Sequence, residues 1–158
     1  MMAREVRFSW GGAVLLLLRF ALGGVFIYYA TPKIVAPDLF AADVFNYHLL
    51  PPWGVNTLAL VLPWLELYTG VFLVLGVWSR AAASLMAGLL VVFLVAFTSA
   101  KLRGYDIACG CAERGAEAKP TGLLFFWLRD SAMLAAAFLL ARFDRRAPSP
   151  VGLLRHRA

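Results

Sequence analysis

The sequence predicts an all-α, membrane-spanning four-helix bundle, and three observations predict it. Apolar residues make up 62% of the 158-residue chain and charged residues 15%, against roughly 45–50% and about 25% in soluble domains. A soluble fold cannot hide that much apolar surface, whereas lipid can. Four apolar stretches, residues 12–30, 55–77, 81–100 and 122–141, have the length of about 20 residues that a ~30 Å hydrocarbon core requires. Each stretch is continuous, and lipid demands an internally satisfied backbone, so these runs are helices and not barrel strands. Residues 1–141 then form one transmembrane domain, and residues 142–158 form a basic, Pro-containing tail expected to be disordered and cytoplasmic.

The first element begins like a secretory signal, with Arg4 and Arg7 ahead of Leu15 to Leu18. Arg19 interrupts that run, apolar residues continue to Ala30, and no small-residue cleavage site stands out, so the segment reads as an uncleaved first span. A connection of about twenty residues follows. Within it Pro37 precedes a short helix that Asp38 can cap, with Phe40, Val44 and Tyr47 on one face. Pro51 and Pro52 end it, and Trp53 suits the headgroup region, which makes it an interfacial helix in the first external loop. His48, near its end, reads as a surface residue.

Spans two and three are joined only by Trp78, Ser79 and Arg80, which predicts tight antiparallel neighbours. The third connection is again about twenty residues long, and loops of that length in a compact bundle usually carry function or substructure. Apart from a weak likeness between two helical hairpins, the chain has no internal repeat.

Orientation follows from basic residues outside the spans. Arg4, Arg7, Arg80, Arg142, Arg145, Arg146, Arg155 and Arg157 fall on one side; Lys33, Lys101, Arg103, Arg114 and Lys119 fall on the other. Eight against five, with the C-terminal cluster close to its span, predicts that both termini are cytoplasmic and both long loops external. The same distribution accounts for the net charge of +6. It provides no stripe of basic residues to track phosphates, so a nucleic-acid partner is excluded.

Four ionisable residues fall inside the spans: Arg19, Glu66, Arg129 and Asp130. A centred charge costs about 2.5–3.5 kcal/mol on insertion scales, so a mutual network is the economical arrangement. Counting positions puts all four near one depth, with formal charges that cancel. Arg129 and Asp130 are adjacent, so their side chains diverge by about 100° and each is expected to look to another helix. Arg19 with Glu66 or Asp130, and Arg129 with Glu66, are the expected pairs. Pro63, which cannot donate to the residue 59 carbonyl, loosens the helix one turn before Glu66. Two readings stand level: a network that fixes packing, or a polar pocket for a small ligand such as a quinone head group, or a proton path. Tyr28, Tyr29, Tyr68, Trp64 and Trp127 are the aromatic residues that would line such a pocket.

Cys109 and Cys111, separated by Gly110, are the two cysteines of the chain and sit together in the second long loop. A C-x-C disulfide closes a small strained ring, which Gly110 helps to close, and strained disulfides are the labile, catalytic kind. Stabilisation is a weak alternative, because so short a loop removes little chain entropy. Lys101, Arg103 and Arg114 would lower a thiol pKa while Asp106 and Glu113 oppose them. Two other readings stay open: inert loop thiols, and a two-thiolate site for which Cu(I) is the natural ion.

The run RFALGGVFIYYATPK, with Arg19, Gly23, Gly24, Phe26 and Lys33, resembles the first span of the MauE/DoxX family of bacterial membrane proteins. FAADVFNYHLLPP and LPWLELYTGVFLVLG, with Tyr47, Pro51, Pro63, Glu66 and Gly70, are similar to that family's next segment. RGYDIACGCAERG resembles the Cys-Gly-Cys loop of its MauE-like branch, and the likeness covers residues 14–140. It implies a four-helix inner-membrane protein tied to thiol–disulfide chemistry beside a thioredoxin-like or secreted disulfide-containing partner, with quinone linkage among DoxX relatives. It makes Cys109 and Cys111 the redox pair and Arg19, Glu66 and Arg129 the buried polar group. Ala108 and Ala112 depart from the acidic or amide residue and the Phe that flank the family's cysteines.

The expected function is thiol–disulfide exchange by Cys109 and Cys111 with an extracytoplasmic partner, with a quinone as the candidate cofactor. The alternative is a non-enzymatic membrane assembly factor or small-molecule carrier with incidental cysteines. No Walker motif, dinucleotide fingerprint or HExxH is present, so nucleotide and zinc-protease chemistry have no support.

Overall fold

Four long helices and one short one appear in a computed structural model, which describes residues 10–105 and 122–143. Helix α1 spans Trp10–Val35, α2 Pro37–Phe45, α3 Pro52–Leu75, α4 Ser79–Leu102 and α5 Leu123–Phe143. Four of them, all except α2, are long and apolar enough to cross a membrane. Their outward faces carry Leu17, Phe20, Val61, Val92, Val95 and Phe138. Large apolar side chains on the outside and charges on the inside are what a lipid solvent selects, and the chain is a multi-pass membrane protein.

The expected spans all form, and each helix runs past at least one expected end. The largest difference lies at the end of α1. Hydropathy falls at Thr31, Pro32 and Lys33, so the sequence predicts an end near Ala30. The helix instead continues through Pro32 to Val35, and Thr31 Oγ1 donates to the Ile27 carbonyl at 2.8 Å. Pro63 likewise sits inside an uninterrupted α3.

The short helix α2 forms as expected, with a different start. Ala36, and not Asp38, is its N-cap; Pro37 occupies the first turn, where a missing N–H costs nothing. Phe40 is its buried anchor against Ala59 and Leu62 of α3. Pro51 and Pro52 do not end α2, which stops at Phe45, but start α3.

The long helices pack in a closed ring, α1 on α3, α3 on α4, α4 on α5 and α5 on α1, with α2 laid across α3. The interior holds Leu22 and Phe26 of α1, Leu73 of α3, Met86 and Leu90 of α4, and Leu140 of α5. Phe97 and Phe126 stack at 3.9 Å between ring centroids in a second layer between α4 and α5. Between α3 and α4, Gly76 adopts φ 72°, a conformation glycine tolerates. Its N–H donates to Leu73, and the N–H of Val77 donates to Phe72, which closes the helix end. Trp78 also takes positive φ there.

Helices α1 and α3 approach closely at Gly23 and Gly70. A Cβ on Gly23 would lie 2.9 Å from the Gly70 carbonyl oxygen, and one on Gly70 would lie 2.9 Å from the Gly23 oxygen. Backbone meets backbone, as small residues permit in membrane helices. Gly70→Ala is therefore expected to lower stability by about 1–3 kcal/mol, the range for overpacking a filled interior. Gly24→Ala, where nothing lies within 4 Å, is the control and should be neutral or mildly stabilising. Unfolding of the two variants in detergent checks this; equal stability would mean that the helices part without cost.

Candidate functional site

The deepest ion pair is one that hydropathy hides. Lys33 Nζ donates to both oxygens of Glu66 at 2.8 Å, and the two side chains are almost fully buried. The ammonium also lies 4.9 Å from the centroid of Phe40 and 5.4 Å from that of Phe93, so ring faces supplement the carboxylate. By hydropathy Lys33 counts among the external loop cations, because a charge three residues past an apolar run looks solvated. The extension of α1 brings Lys33 into the bundle instead. The available signal was the turn-by-turn spacing of Phe26, Ala30 and Lys33, which puts the lysine on the buried face.

Arg129 and Asp130 correct a second expectation. Their backbone vectors diverge, yet the long arginine side chain folds back, and its Nη2 lies 2.7 Å from Asp130 Oδ1, with Nε at 2.8 Å. The guanidinium also lies near the rings of Phe126 and Tyr29. Adjacent residues on a helix do pair when one side chain is long enough to turn the corner.

Arg19, among the largest fully buried side chains, donates from Nε to the Leu73 carbonyl at 3.1 Å. Leu73 belongs to the last turn of α3, and its carbonyl also accepts from the Gly76 N–H, so the cation there adds a second donor at the negative helix end. That anchor lies seven residues from Glu66, or about 10 Å along the helix. Arg19 is accordingly set apart from Glu66, Arg129 and Asp130, which line one shared space. Arginine serves two other ends: Arg80 Nε donates to Ala141 at 2.8 Å, and Arg103 donates to Tyr47 at 2.8 Å and His48 at 3.3 Å.

Glu66, Lys33, Arg129, Asp130, Tyr29 and Phe26 surround one small central space of about 20 Å³. That is room for about one water molecule, and a quinone ring does not fit there. Of the five aromatic residues expected to line a pocket, Tyr29 does so. Tyr28, Trp64, Tyr68 and Trp127 are exposed on the outer surface. A larger cavity, about 170 Å³, lies on the other side of Lys33 beneath α2.

Cys109 and Cys111 lie outside the described residues, as do Asp106, Glu113, Arg114, Lys119 and the tail after Phe143. Arg103, just before that segment, is tied to the α2–α3 connection through Tyr47 and His48. The ring of Tyr105 packs on His48 at 4.6 Å.

Comparisons with known proteins meet this architecture over nearly all of its length. Methylamine utilization protein MauE of Methylorubrum extorquens is 42% identical over 121 residues, covering 76% of this chain and 64% of that protein. The protein of the same name in Paracoccus denitrificans is 35% identical over 129 residues, with 81% and 68% covered. That of Methylophilus methylotrophus is 34% identical over 113 residues, with 71% and 59% covered. The chain thus spans about two thirds of the length of the relatives it matches. No solved structure matches it. The family model described as methylamine utilisation protein MauE matches residues 11–143, the whole bundle, and the chain belongs to the MauE family.

Proposed function

We propose that this chain is an inner-membrane component of methylamine utilisation that exchanges disulfides with an extracytoplasmic partner through Cys109 and Cys111. The observation that carries the reading is the Cys109-Gly110-Cys111 pair within a bundle of this family. In the exchange, a thiolate of the partner attacks one sulfur of the Cys109–Cys111 disulfide, and the other sulfur leaves as a thiolate. A second partner thiolate then resolves the mixed disulfide, so the partner gains a disulfide and this chain holds two thiols. Run in reverse, the same steps reduce the partner. The partner is a thioredoxin-like protein or a secreted protein rich in disulfides, and a quinone is the proposed two-electron acceptor that restores the disulfide, becoming a quinol. Arg19, Glu66, Arg129 and Asp130, with Lys33, hold the bundle together.

Alkylation trapping of the two thiols in native membranes tests the reading. A mixture of reduced and oxidised forms that shifts with added reductant or quinone is expected; thiols that stay free under every condition would leave the reading of an assembly factor or small-molecule carrier. The proposed orientation has its own check. A reporter fused at the C-terminus should be cytoplasmic and a tag beside Glu117 external, as the Arg145 and Arg80 clusters require. A cytoplasmic Glu117 would remove the oxidising environment that the cysteines need.

A further inference from the structure

The cavity of about 170 Å³ beneath α2 is unlike the central space. Its walls are mostly apolar, formed by Phe40, Val44, Leu62, Leu89 and Phe93, and its buried polar floor is Lys33 and Asp43, with Tyr47 also lining it. Leu50, Leu58 and Val92 also line it and are exposed on the bundle's outer, lipid-facing surface, whereas Lys33, Phe40, Asp43 and Leu62 are buried. A molecule therefore enters from the bilayer and meets the polar groups last. An apolar space of this size destabilises a bundle when empty and not when filled.

The floor defines the chemistry of the occupant. An ammonium carries three N–H groups, and Glu66 receives two hydrogen bonds from Lys33, so one N–H is left for a further acceptor. Glu66 already balances the positive charge, and the Asp43 carboxyl lines the same cavity, so an anionic head group finds no surplus of positive charge. We propose that this cavity binds a neutral, lipid-soluble molecule through a carbonyl oxygen that accepts a hydrogen bond from Lys33 Nζ. Two sources supply that chemistry: the ring of an isoprenoid quinone and the ester carbonyl of a neutral glycerolipid. The site is independent of the cysteines and stands whether or not they exchange disulfides.

Thermal unfolding of the purified full chain in detergent tests this, with decylbenzoquinone, dioctanoylglycerol, decanoate and decane as probes. A saturable rise in unfolding temperature is expected with one or both carbonyl probes and not with decanoate or decane. A rise with the quinone alone assigns the ring; a rise with the glycerolipid alone assigns the ester. Ala96→Phe fills the cavity, which Ala96 lines, without touching the ion pair, and should weaken half-saturation at least ~10-fold. Leu58→Trp, which blocks the mouth, should do the same if Ala96→Phe folds poorly. No rise with either carbonyl probe, an equal rise with decane, a larger one with decanoate, or undiminished binding in the folded variants would overturn the proposal.

Discussion

Glu66→Gln is expected to destabilise the bundle by about 3–5 kcal/mol, the cost of leaving a buried charge without its partner. The Lys33 ammonium would remain held between Phe40 and Phe93, 2% exposed, with an amide in place of the carboxylate that now accepts two hydrogen bonds. Lys33→Met should also destabilise, because the buried carboxylate loses the two hydrogen bonds it accepts from the ammonium. The double variant Lys33→Met/Glu66→Met should recover most of the loss, because replacing both ions by apolar groups of similar volume removes the desolvation penalty along with the attraction. Lys101→Gln, at the exit of α4, is the comparison and should stay within about 1 kcal/mol of the parent, the scale of its cation–π contact with Phe97. Denaturant unfolding in detergent reads all four. Losses that simply add in the double variant, beyond the ~0.5 kcal/mol scatter of independent sites, would mean that the two residues do not act as a pair.

Cysteine substitution is expected to have the largest effect on function. On the proposed function, the Cys109→Ser/Cys111→Ser variant should lose methylamine-dependent growth and keep its place and amount in the membrane. Single substitutions are more informative. With one sulfur missing, the second step of exchange fails, and the remaining thiol should accumulate as a mixed disulfide with the partner. Cys111→Ser should trap the partner through Cys109, or Cys109→Ser through Cys111, and which of them does so identifies the attacked sulfur. A Cu(I) site predicts protection from alkylation that a chelator lifts, with no adduct. Inert thiols predict full growth in the double variant. Full growth would end the exchange reading, and the chain would then act as an assembly factor or carrier in which the cysteines are incidental.

The membrane class, the four spans, the short helix after the first of them and the family were all legible in the sequence. Spanning helices are a local property: about 20 apolar residues in a row need no knowledge of what they pack against. Arg19, Glu66 and Asp130 were legible as interior residues, because charges in lipid turn inward, and all three are buried.

Only the tertiary structure decided who pairs with whom. Partner choice depends on which helix faces meet, and Gly23 and Gly70 bring α1 and α3 together along a line that hydropathy does not encode. Hydropathy assigns Lys33 to water, because a residue scale charges it the full cost of its ammonium. In the bundle that cost is offset by Glu66 and two ring faces, which become available only when α1 runs past Pro32. Arg129 met its neighbour because the reach of a side chain, and not the angle between Cα–Cβ vectors, determines adjacent pairing. Most of the aromatic residues expected inside turned to lipid, since Trp and Tyr gain as much from acyl chains as from a bundle core. The cavity beneath α2 could not be read at all: a space is made by the residues that fail to meet, and no single stretch of sequence records that.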